Sequence, residues 1–178
     1  MARSKQKKLT PAQIKKQTQK IQEVIDKHKR ENREEHFTSL TPEQIGRKLK
    51  RVNSPMIILQ GWSDSTPGGT FNYIVGIYNP DSTGASDLYV HVWVGSGNVD
   101  PTLGTFLLNV DQRFPRLTQP AFFGLLLPPG ADTTFRFSIT VPTMIEKTIY
   151  FGNSFLMQLN YNDVGQYLDR GVFPFAVT

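Results

Sequence analysis

The chain holds three histidines and no cysteine. Few side chains are therefore equipped for acid–base or metal chemistry near neutral pH, and thiol chemistry is excluded. His28 and His36 stand in a stretch crowded with Lys and Glu, and the expectation for both is a solvated position. His91 alternates with Tyr89 and Trp93 along "LYVHVWV", which puts the three on one face of a strand, where they could meet a partner. No second histidine stands near any of them at a spacing that would pair on a metal.

"NYNDVGQYLDRG" has the length of a calcium loop, with Asn160, Asn162 and Gly165 in register. Val164 and Gly171 fall where oxygen ligands are needed, so the ligand set is short. Asp81 and Asp87 in "NPDSTGASD" read as turn formers. No G-x-S-x-G, H-E-x-x-H or phosphate-binding loop occurs. The expectation is a non-enzyme with no catalytic residue, no metal site and no cofactor.

Charge is the other chemistry on offer, and it is unevenly spread. Residues 1–51 carry fifteen Lys and Arg against six Asp and Glu, whereas residues 52–178 carry five against nine. Arg3, Lys5, Lys7, Lys8, Lys15 and Lys16 form one basic cluster, and Arg47, Lys48, Lys50 and Arg51 form another. Such clusters could neutralise phosphates. No aromatic residue lies among them to stack a base, so any nucleic-acid contact would be sequence-nonspecific and salt-sensitive. The plain alternative is a solvated helical surface.

The elements that carry these groups follow from local signals. "LTPAQIKK" and "LTPEQIGRK" each place Thr at a cap, Pro at the first helical position and Gln at the third. That is a capping box with a hydrophobic staple. The first helix is expected over about 11–36 and the second over 42–50. The apolar stripe of the first, Ile14, Ile21, Val24 and Ile25, is too thin to hold a lone helix and must dock or pair.

Beyond residue 52 lysine almost vanishes and β-formers take over. Strands are expected at 56–60, 70–78, 88–94, 104–109, 121–127, 133–141, 148–152, 154–161 and 171–177, divided by turn signals such as "PGG", "GSGN" and "PPG". Phe71, Tyr73, Val75 and Ile77 share one parity, as do Leu88, Val90, Val92 and Val94, and Phe135, Phe137, Ile139 and Val141. Strands so patterned, without intervening helices, predict a mainly β fold. The form expected is an antiparallel β-sandwich, immunoglobulin-like or jelly-roll, over 53–178, preceded by a basic helical arm over 1–52.

The succession "GGTFNYIVGIYNPDSTGASDLYVHVWVGSGN", "LLPPGADTTFRFSITVP" and "FLMQLNYND" resembles CARDB-type immunoglobulin-like modules over roughly 68–162. The resemblance implies a sandwich fold and a binding or structural role.

Two functions are expected from these observations. One is a non-catalytic interaction or assembly module that engages a protein partner or a second copy of itself. The other is a nucleic-acid-packaging, capsid-like protein whose basic arm neutralises phosphates. Neither a secretory signal nor a membrane span is written in the sequence. A cytoplasmic location is expected, or a virion under the second reading.

Overall fold

A computed structural model describes residues 8–51, 54–81, 84–85, 88–96, 108–113, 127–159 and 165–178. The expected strand over 121–127 lies outside the described residues except at its last position, as does the larger part of 104–109.

The chain begins with α1 (Pro11–Glu31), β1 (His36–Ser39) and α2 (Pro42–Arg51). Both helix starts close as their sequences predict. Thr10 Oγ1 accepts from Gln13 N–H at 3.2 Å while Gln13 Oε1 accepts from Thr10 N–H at 2.8 Å. Thr41 and Gln44 repeat the pair at 3.2 and 2.9 Å. The end of α1 differs from the expectation of about 36. Asn32 turns extended, and its backbone and side-chain N–H groups both take the His28 carbonyl. Beyond it, Arg136 donates to Asn32 Oδ1 and to the buried Glu34 carboxylate. The segment after Asn32 is thus bound to the sheet, and residues 36–39 join it as a strand.

Seven further strands follow: β2 (Met56–Trp62), β3 (Thr70–Tyr78), β4 (Leu88–Ser96), β5 (Leu108–Arg113), β6 (Asp132–Thr140), β7 (Ile149–Leu159) and β8 (Gly165–Ala176). The expected break within 148–161 is absent, and β7 runs through it. β8 starts six residues before the expected 171.

The strands form two antiparallel sheets, ordered β1-β2-β3-β6 and β5-β4-β7-β8. Among the described strands, β2-β3-β6 and β4-β7-β8 connect as A-B-E and C-F-G do in an immunoglobulin sandwich. Their inner faces meet in one core, with Trp62, Phe71, Tyr73, Val75 and Ile77 against Val90, Val92, Leu156, Phe173 and Phe175. Close approach of β7 and β8 needs a residue without a side chain at Gly152, because the Phe173 ring occupies the place of a Cβ there.

A second core lies on the outside of the first sheet. Ile21 and Ile25 of α1 and Ile45 and Leu49 of α2 cover Met56, Ile58, Leu59 and Tyr78. β2 serves both cores through a bulge between Ile57 and Leu59. Ile57 faces the sandwich interior and Ile58 the helices. The extra residue then shifts the alternation so that Gln60 and Trp62 face inward again.

Candidate functional site

The two outer faces of the sandwich have opposite fates. That of the first sheet is roofed by helices, and that of the second carries none of the described elements. On the latter, Ile149, Phe151, Tyr167 and Val172 keep 59%, 46%, 56% and 50% of their surface open. Alternation explains the placement. Tyr150, Leu156, Phe173 and Phe175 take the core, so Ile149, Phe151, Val172 and Pro174 must face out. The pairings Phe151↔Pro174 and Ile149↔Ala176 bring several of them side by side.

On β8, the edge strand of this sheet, a cation is held against its neighbour β7. The Arg170 guanidinium lies 5.7 Å from the Phe155 ring centroid, and its Nε donates to Asn153 Oδ1 at 2.9 Å. Phe155 in turn meets Tyr167 edge-on at 6.4 Å. The result is an aromatic cluster with a charge held beside it on the β7–β8 side of the sheet.

The sequence-predicted partner residues map here by register. Tyr89 pairs with Met157, His91 with Phe155 and Trp93 with Asn153. Tyr89 is buried, which corrects its expected role as an open contact residue. It sits on a strand flanked on both sides, by β5 and β7. The side chains of His91 and Trp93 lie outside the described residues. Sequence reasoning missed the exposed members on β7 and β8: Ile149, Phe151 and Val172 fall within expected strands to which no outward face was assigned, and Tyr167 falls before the expected start of the last strand.

The described members of the expected polyanion-binding set lie on or beside the helices of the roof. Arg3, Lys5 and Lys7 lie outside the described residues. Lys8, Lys15, Lys16, Arg47, Lys50 and Arg51 are exposed. Lys48 is not a free cation: its Nζ lies 2.6 Å from Asp169 Oδ2, which also accepts the Ile57 N–H at 2.8 Å. That contact ties α2 to both sheets.

The histidines depart from expectation. His28 is buried, with Nε2 2.8 Å from Asp132 Oδ2 on β6. The exposed-looking lysine-rich helix hid this, because the residue falls on the same helical face as Ile21 and Ile25. His36 opens β1, with Nε2 2.7 Å from Asp64 Oδ2 and 3.8 Å from Glu35 Oε2. The acidic partners, Asp64, Asp132 and Asp169, were the readable signal: each interrupts or borders a strand in the lysine-poor part of the chain.

Tyrosines mark the polar interior. Tyr73 OH bonds Gln60 Oε1 at 2.8 Å and also Ser154 Oγ across the sandwich. Burial pushes the Tyr73 phenol well above its ordinary range, against a smaller opposing effect of the Ser154 bond. Burial also raises Tyr78, aided by the Asp132 charge, and raises Tyr150, aided by Glu146. Among the described residues no helix is long and apolar enough to cross a membrane.

No protein-family model and no curated protein sequence matches the chain. Similar solved structures do exist. The C-terminal domain of wzt aligns at a TM-score of 0.55 with 13% identity, covering 83% of this chain and 80% of that one. The CARDB domain of PF1109 from Pyrococcus furiosus aligns at 0.40 with 17% identity, covering 70% and 86%. Spo0M, a sporulation control protein from Bacillus subtilis, aligns at 0.42 with 10% identity, covering 71% and 50%. The CARDB resemblance seen in the strand and turn patterns recurs in this comparison. The likeness to the wzt domain shows what the strand order also shows: this chain has a two-sheet antiparallel β-sandwich fold.

Proposed function

We propose that the protein is a non-catalytic interaction module whose contact surface is the open outer face of the second sheet, and that its partner there is a second copy of the chain. The observation that carries this reading is the asymmetry of the sandwich. One outer face is buried under the chain's own helices, while the other displays Ile149, Phe151, Tyr167 and Val172 together with the Arg170–Phe155 pair.

Charge geometry permits a second copy. The excess of cations belongs to residues 1–51, whose helices lie on the far side. Two copies meeting through their second sheets would place their basic layers at least three sheet spacings of about 10 Å apart. That exceeds the Debye length of about 8 Å at physiological salt, so like-charge repulsion is screened.

Light scattering on the full chain tests the proposal. The expected result is a dimer that becomes a monomer when Phe151→Asp and Tyr167→Asp are combined, with circular dichroism unchanged. A wild-type chain that stays monomeric at millimolar concentration sinks it.

A second reading has its own observation. Lys8, Lys15, Lys16, Arg47, Lys50 and Arg51 all remain exposed on the roof, and they support polyanion binding with Lys48 left out. The absorbance ratio of nucleic acid to protein, followed across the same scattering peak, tests this reading.

A further inference from the structure

We propose that Glu35, His36 and Asp64 form a binding site for a divalent first-row transition-metal ion. One ligand atom from each of the three lies within 4.8 Å of the others. His36 Nε2 is 2.7 Å from Asp64 Oδ2 and 3.8 Å from Glu35 Oε2. Two ligands each about 2.1 Å from one ion sit roughly 3 to 3.4 Å apart. The observed spacings bracket that range, so small side-chain movements bring all three donors onto one ion. The ion takes the place of the direct contact between the imidazole and Asp64.

The site is built by elements far apart in sequence. Glu35 and His36 stand at the mouth of β1, and the pairing His36↔Trp62 sets them beside the residues that follow β2. Asp64 is aimed from outside the trio. Its Oδ1 accepts the Ala176 N–H of β8 at 3.0 Å, which turns Oδ2 toward the imidazole. Such an outer bond fixes a ligand's orientation. The His36 ring lies 5.6 Å from the Trp62 indole, tilted by 34°. All three side chains are partly open to water, which can fill the remaining coordination positions.

The donor set selects the ion. One imidazole nitrogen and two carboxylates suit Mn²⁺, Co²⁺, Ni²⁺ or Zn²⁺. The nitrogen disfavours Ca²⁺ and Mg²⁺, which seek oxygen. The chain has no cysteine to attract a soft ion. The plain alternative is a pair of hydrogen bonds that pins the edge strand, and the two readings separate in one experiment.

The test uses the untagged full chain, stripped with chelator and titrated with Co²⁺, a paramagnetic quencher. The expected result is saturable quenching of the tryptophan fluorescence, lost in Trp62→Phe, together with a raised melting temperature. Glu35→Gln keeps an acceptor for the Asp64 N–H, and Asp64→Asn keeps one for the Ala176 N–H. Each should weaken binding by at least about tenfold while leaving the metal-free melting temperature near that of wild type. His36→Gln should abolish binding; should it unfold the chain, the two conservative variants decide. Quenching that does not saturate, an unmoved melting temperature, or equal quenching in Glu35→Gln and Asp64→Asn would overturn the proposal.

Discussion

At the scale of single residues, the buried polar groups set how the fold responds to chemistry. Tyr73 OH joins Gln60 on its own sheet to Ser154 on the other. Removing the hydroxyl leaves two interior groups short of a partner. Tyr73→Phe is therefore expected to cost about 1 to 3 kcal/mol, read as a lower midpoint in urea with an unchanged slope. Alkali acts on the same atoms. The phenols of Tyr73, Tyr78 and Tyr150 are all raised by burial. In the unfolded chain a tyrosine ionises near about pH 10. A raised folded-state value means that the stabilising contribution is whole below that pH and is lost as pH climbs beyond it. The part of the tyrosinate absorbance that is lost on changing Tyr73, Tyr78 and Tyr150 to Phe should appear together with the loss of circular dichroism in alkali. Ionisation of these three well before unfolding would contradict the burial described. None of this was legible in the sequence, where Tyr73 was one more inward aromatic, because the partners that define it come from other strands.

At the scale of elements, local signals were the legible ones. Both capping boxes, the second helix and the cores of β2, β3, β4 and β6 follow from spacing alone. The misses share a physical cause. The end of α1 depends on Arg136, about a hundred residues away, and β1 is four residues whose only reason to extend is the edge of β2. The thin stripe on α1 did signal docking, though not its target. Ile25 is fully buried in the helix-facing core, so Ile25→Ala should cost about 2 to 5 kcal/mol. Because β2 walls both cores, the helices and the sandwich should melt in one thermal transition, and Ile25→Ala should lower that transition as a whole. Two separated transitions by calorimetry would show that residues 1–52 form an independent arm.

At the scale of the whole molecule, the described residues put an exposed basic layer on the helices and exposed apolar side chains on β7 and β8 of the second sheet. The charge division was plain in the sequence. The apolar face was not legible: "LYVHVWV" forms a strand of the same sheet, while Ile149, Phe151, Tyr167 and Val172 on β7 and β8 are the exposed large apolar residues described there. Exposure is a property of what fails to cover a strand, and a strand's own alternation does not reveal that. Salt should separate the two surfaces. Association through an apolar face should hold or strengthen as salt rises. Polyanion binding by the helical roof should weaken steeply. A dimer that dissociates in salt would assign the contact to charges and away from the second sheet.

The Asp169 carboxylate, described above as a tie between α2 and both sheets, also bears on time. It joins Lys48 across 121 positions and Ile57 across 112, and His28 reaches Asp132 across 104. Each such closure must be made against the entropy of a long loop before it returns any stability. Chains of this kind assemble on the order of milliseconds to seconds, slower than helical bundles of similar size. During that interval the strand edges and the oily face are unguarded together.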